Sequence, residues 1–155
     1  MCRTRERPKR IETAYRAPDG GKRGIWFAIF EYWMEYLGSG YWHSNPRIGD
    51  ALLTQKVGDQ NRTLSVVFND AYGFMLKYQG PDDAVPQIAL NPLDPSGTTS
   101  ATIGGIDLDL PVKYFLSREL AIAVTKEYFD SGVRSNRVQW IPLPFDWPKP
   151  LVEFE

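Results

Sequence analysis

From Leu52 to Tyr78 the side-chain period is two, and this stretch constrains the fold more than any other. Leu52-Leu53-Thr54-Gln55-Lys56-Val57 reads as a strand closed by Gly58-Asp59. Thr63 to Phe68 then alternates, with Leu64, Val66 and Phe68 on one face. Asn69-Asp70-Ala71-Tyr72-Gly73 is a turn of hairpin length, and Phe74 to Tyr78 returns with Phe74, Leu76 and Tyr78 pointing inward. Gln87 to Leu90 and Thr99 to Ile103 are weaker strand candidates. In the next run Ile106, Leu108 and Leu110 alternate with Asp107 and Asp109, which predicts one buried face and one carboxylate face. Strands that follow one another in this way point to an antiparallel meander.

Two helical patterns flank the strands. Residues 25–37 place Ile25, Ile29, Tyr32 and Tyr36 at helical spacing, with Trp26, Phe30, Trp33 and Leu37 on the adjoining stripe and Glu31 and Glu35 toward solvent. Residues 117–130 start on Ser117, a good N-cap, carry an apolar stripe of Leu120, Ala121, Val124 and Tyr128, and stop at Ser131-Gly132. Val138 to Ile141 reads as a last short strand. The expected fold class is α+β: an antiparallel sheet of about five or six strands packed with an N-terminal and a C-terminal helix. Trp33, Phe68, Leu76, Leu120, Val124 and Trp140 are the expected core. The domain spans 24–141. Residues 142–155, where prolines interleave with Phe145 and Trp147, form an extension laid over the body.

A net charge of −1 hides an asymmetry. Residues 1–23 hold six Arg and two Lys against Glu6, Glu12 and Asp19, and almost no aliphatic side chains. Such a segment reads as a solvated basic tail, with a nucleic-acid-binding arm as the sharper alternative. Residues 78–112 contain no Lys or Arg but do contain Asp82, Asp83, Asp94, Asp107 and Asp109. Turn chemistry explains several of these aspartates singly. Their shared sign makes a field that repels nucleic acid and anionic lipid and suits a basic partner.

The chemistry-bearing residues are few. One cysteine, Cys2, and one histidine, His43, exclude a disulfide framework and a Cys/His zinc site. No phosphate loop, dinucleotide fingerprint or nucleophile elbow occurs. Asp107-x-Asp109 puts two carboxylates on one strand face, too few for a specific metal assignment. No catalytic residue, cofactor or metal is expected. The basic opening is followed by no apolar run of secretory type, and the most apolar stretch, residues 24–37, contains Glu31 and Glu35 and is too short to span a bilayer. A cytoplasmic location without membrane association is the expectation.

The C-terminal third carries the most specific signal. It reads Asp107-Leu108-Asp109-Leu110-Pro111, then Ser117-Arg118-Glu119-Leu120-Ala121, then Glu127-Tyr128-Phe129-Asp130-Ser131-Gly132, and finally Val138-Gln139-Trp140. This order resembles immunity protein family one of bacterial polymorphic toxin systems, over roughly residues 25–141. The resemblance implies a non-enzymatic antidote that binds a cognate toxin domain, often a nucleic-acid deaminase, and occludes its active site. It brings no catalytic residues with it.

On that reading the partner is a toxin domain with a basic groove, no nucleic acid is bound directly, and acidic side chains occupy the groove as phosphate mimics. The expected toxin-binding residues are Asp82, Asp83, Asp94, Asp107, Asp109, Trp42 and Tyr72, with Tyr41 a further exposed aromatic candidate. Two other readings stand beside it: a small enzyme using His43 with Asp107 or Asp109, and a nucleic-acid adaptor using residues 1–23.

Overall fold

The hairpin at the centre of the chain forms in the expected register. In the computed structural model, which describes residues 12–149, β4 (Gln60–Asn69) and β5 (Gly73–Gln79) pair with Leu64 opposite Tyr78, Val66 opposite Leu76 and Phe68 opposite Phe74. From Leu64 to Asn69 every residue of β4 is buried, on both faces of the strand. Burial on both faces requires a layer above and a layer below the sheet.

The sheet is larger than expected. Its order is β2-β1-β3-β4-β5-β6-β9, antiparallel throughout, with β1 (Thr13–Arg16), β2 (Lys22–Ile25), β3 (Ala51–Val57), β6 (Gln87–Leu90) and β9 (Gln139–Pro142) completing it. The α+β class holds, with seven strands in the main sheet among the described residues.

β7 (Thr98–Ile103) and β8 (Ile106–Pro111) do not extend the meander. They pair with each other as a separate hairpin. The edge of β6 that they would have continued is taken by another strand. β9 takes the place beside β6, with Ala89 opposite Trp140.

One layer is helical. α1 (Phe27–Tyr36), the short α2 (Ser39–Trp42) and α3 (Arg118–Ser131) cover the sheet face that carries Tyr15, Leu53, Leu64, Val66, Phe68, Phe74, Leu76 and Tyr78. Ser117 caps α3, its Oγ accepting from Leu120 N at 3.3 Å, and Gly132 ends it at φ 72°. Of the six expected core residues, Phe68, Leu76 and Val124 are buried. Trp33, Leu120 and Trp140 are half-buried against the same core.

The inner face of α1 differs from the expected one. Phe30 and Met34 are fully buried, whereas Ile29, Tyr32 and Tyr36 face solvent. Phe30 is held at 5.6 Å from Tyr15, 5.9 Å from Trp42 and 5.8 Å from Phe129, centroid to centroid. At about 100° per residue, choosing 29 rather than 30 as the inward position rotates the whole face.

The other layer is built from the β7–β8 hairpin and the segment after β9. Val67, Met75 and Ile88 on the sheet meet Ile103, Leu110, Tyr114 and Phe115 in a second core. Leu143, Phe145 and Trp147 pack against it. No helix among the described residues is long and apolar enough to cross a membrane.

The solvated-tail expectation for residues 1–23 fails from Thr13 onward. β1 lies between β2 and β3, and Tyr15 is 2% exposed. Pro18-Asp19-Gly20-Gly21 is the missed turn: Ala17 N donates to Gly21 O at 2.8 Å, and Asp19 Oδ1 accepts from Gly21 N at 2.8 Å. One buried tyrosine and a tight turn outweigh the charged composition. Residues 1–11 lie outside the described residues.

Candidate protein-binding surface

Cross-strand pairing sets what the β7–β8 hairpin presents. Ile103 lies opposite Ile106, Ala101 opposite Leu108 and Thr99 opposite Leu110, and this face turns toward the second core. Ile106, at the hairpin end, is nonetheless exposed, so the expected buried face is incomplete. The opposite face pairs Thr102 with Asp107, Ser100 with Asp109 and Thr98 with Pro111. Asp107 and Asp109 are exposed there, and Thr102 Oγ1 donates to Asp107 Oδ1 at 2.6 Å. The hairpin thus displays two carboxylates among small hydroxyls.

The other three aspartates sit in separate loops. Asp83 is partly buried; its Oδ2 accepts from Gly80 N at 2.8 Å and its Oδ1 lies 3.4 Å from Arg134 Nη1. That pairing offsets its charge locally. Asp82 is exposed beside it, between β5 and β6. Asp94 is exposed between β6 and β7, with φ 47°, next to the highly exposed Leu93. Among the described residues no group of three His, Cys, Asp or Glu side chains could hold a metal ion.

Tyr72 is exposed, as expected of a contact residue. Its turn is held by Asn69, whose Oδ1 accepts from Ala71 N and Tyr72 N and whose Nδ2 donates to Thr99 Oγ1 at 3.0 Å and Ser100 O at 3.3 Å. Asn69 therefore ties the Tyr72 turn to the strand that faces Asp109. Gly73 closes the turn at φ 99°, where a Cβ would lie 2.1 Å from Leu116 O. Between turn and helix opens a cleft of about 370 Å³, with Asp70, Tyr72, Asn91, Ser117 and Arg118 in its lining.

Trp42 is not a surface residue. It is 1% exposed, its Nε1 donates to Leu37 O at 3.1 Å, and its ring lies 5.3 Å from that of Phe74. Ser39–Trp42 forms a helical turn that swings the indole inward, so the expected surface role fails here. Tyr41 is half-buried, its hydroxyl hydrogen-bonded to that of Tyr15. His43 is exposed, with Nε2 2.9 Å from Phe68 O, so its hydrogen bond goes to the main chain rather than to Asp107 or Asp109.

Two features escaped the sequence reading. The first is a buried charge cluster where the sheet meets the second layer. Arg16 Nη2 lies 2.6 Å from Asp50 Oδ1, and Lys77 Nζ sits 4.2 Å from the Trp147 ring centroid. Register places Arg16, Leu52, Ser65 and Lys77 in one row across four strands. Burial pushes the Asp50 carboxyl up, against the pull of Arg16, Lys77 and Ser65. Burial also pushes the Lys77 ammonium down, while Asp50 pulls it up and Arg16 adds to the lowering. No linear pattern announces residues 16, 50 and 77 as neighbours.

The second is the outward face of α1. Ile29, Tyr32 and Tyr36 are all exposed, as is Trp26 at the N-cap just before the helix, and the Tyr32 and Tyr36 rings lie 4.9 Å apart. Glu31 and Glu35, read as solvent-facing, were the available signal, since Tyr32 and Tyr36 are their wheel neighbours. This face and the acidic hairpin lie on opposite sides of the main sheet, because α1 packs in the first core and the hairpin in the second. The chain matches no family model, no curated protein and no solved structure.

Proposed function

We propose that the chain is a binding protein that neutralises a cognate bacterial toxin by direct, stoichiometric association, as the immunity family it resembles does. The acidic face of the β7–β8 hairpin supports this most. Asp107 and Asp109 project to solvent from a strand whose other face reaches the second core through Leu108 and Leu110. They sit in a stretch from 78 to 112 without Lys or Arg. Exposed carboxylates held on a paired hairpin steer a basic partner and compete for sites built to hold phosphate.

The partner in this reading is a toxin domain acting on nucleic acid, a deaminase in the family pattern, and the encounter takes place in the cytoplasm, where that substrate is. Tyr72 and Asp70 lie on the turn that Asn69 ties to β7 of the hairpin. An exposed tyrosine beside charged groups is the residue type on which binding energy concentrates. Asp82, Asp83 and Asp94 add to the field from neighbouring loops, Asp83 least because Arg134 offsets it.

The reading expects a neighbouring gene for a large secreted protein with a C-terminal toxin domain. Expression of that domain alone should kill cells, and co-expression of this chain should rescue them with a one-to-one complex isolable from the survivors. Rescue without any complex would point to enzymatic detoxification and remove the proposal.

A further inference from the structure

We propose that the outward face of α1 is a docking surface for a cationic, aliphatic segment of a partner protein. The inference stands on α1 alone and holds whether or not the acidic hairpin binds a toxin.

The face is unusually apolar for solvent. Trp26 is 60% exposed, Ile29 46%, Tyr32 57% and Tyr36 70%. Exposed aromatics gathered on one element mark interaction sites far more often than scattered ones do. Tyrosine and tryptophan also dominate binding hot spots.

The face is held rigidly. Phe30 and Met34 are fully buried beneath it, and Arg118 of α3 closes the helix end by donating to Met34 O at 2.8 Å and to Glu35 O. A surface set in place before contact loses little freedom on binding.

Charge selects the occupant. Glu31 and Glu35, one helical turn apart, run along one edge of the face, and the aromatic row runs beside them. α1 itself contains no Lys or Arg, and Arg118 is committed to the main chain at its C-terminal end. Cationic side chains can pair with the two carboxylates and lie over the Tyr32 and Tyr36 rings, while aliphatic ones cover Ile29. A second copy of the chain would set glutamates against glutamates, and an anionic membrane would be repelled.

The test is fluorescence anisotropy of the full chain with a labelled amphipathic helical peptide of about 18 residues, leucine on one stripe and arginine at i,i+4 along its edge. A matched peptide with glutamate for arginine is the control. Saturable one-to-one binding of the arginine peptide alone is expected. It should weaken with salt and fall about tenfold or more in Tyr32→Ala/Tyr36→Ala and in Glu31→Lys/Glu35→Lys. Asp107→Lys/Asp109→Lys should leave it unchanged. Circular dichroism confirms that each variant folds.

The proposal is overturned by equal binding of both peptides, by no saturable binding, or by insensitivity to the α1 variants. It is also overturned if the hairpin variant abolishes binding, if the Tyr variants instead dissolve a self-dimer, or if the face takes up phosphatidylcholine–phosphatidylserine vesicles in preference to peptide.

Discussion

Arg118, the first residue of α3, closes the C-terminal end of α1 by donating from Nη1 to Met34 O at 2.8 Å, with Glu35 O as a second acceptor. α1 has no basic residue in its last turn and no side-chain cap of its own. A residue 84 positions along the chain from Met34 supplies what the local chain lacks. Arg118→Met should lower stability by about 1.5–3 kcal/mol, the range for a hydrogen bond to a charged group. Hydrogen exchange of the last α1 amides should quicken before that of α3. Unchanged exchange there would mean the guanidinium does not hold the helix end.

Tyr15 makes the N-terminal segment structural. Its ring contacts Phe30 at 5.6 Å and Trp33 at 5.4 Å, and β1 sits inside the sheet rather than at its edge. Tyr15→Ala should cost about 3–5 kcal/mol in urea denaturation, as truncating a buried aromatic does. A loss below about 1 kcal/mol would restore the solvated-tail picture for this region.

Lys77 gives stability a pH dependence of definite sign. Burial holds its ammonium below the ordinary 10.5 in the fold. Between the folded value and the ordinary one the unfolded chain binds the proton more tightly, so this contribution to stability rises with pH across that window. Lys77→Met, which keeps the stem under Trp147, should melt higher than wild type near neutral pH. The gap should close as pH approaches 10.5. Melting curves from neutral to alkaline pH decide it; a gap that stays constant contradicts the assignment.

Trp42 and Tyr72 separate packing from contact. Trp42→Ala should cost about 3–5 kcal/mol, because the indole is buried among Phe30, Phe68 and Phe74. Tyr72→Ala should stay within about 0.5 kcal/mol of wild type, as exposed positions do. Paired denaturation curves check both, and equal losses would misplace one of the two.

The local signals were legible where neighbours in sequence are neighbours in space. The Asn69–Gly73 turn, the inward Leu64, Val66 and Phe68, the Ser117 cap and the Gly132 stop all follow from short-range chemistry. Legibility ended where distant elements decide the outcome. The phase of α1 depends on Tyr15 and Phe129 receiving Phe30, and a stripe rich in aromatics on every side hides which one is inward. The detachment of the β7–β8 hairpin depends on β9 pairing with β6, a long-range contact with no local mark. At the candidate surface, alternation placed Asp107 and Asp109 outward correctly. It could not foresee that Arg134 would meet Asp83 or that Trp42 would turn inward.

The most direct test of the binding account is the association rate with the neighbouring toxin domain, followed over a range of salt for wild type and for Asp107→Lys/Asp109→Lys. Both positions are exposed, so the variant should keep its fold. The account predicts association slowed about tenfold or more at low salt, a flatter salt dependence, and weakened rescue in co-expression. An unchanged rate and salt dependence with full rescue would contradict it.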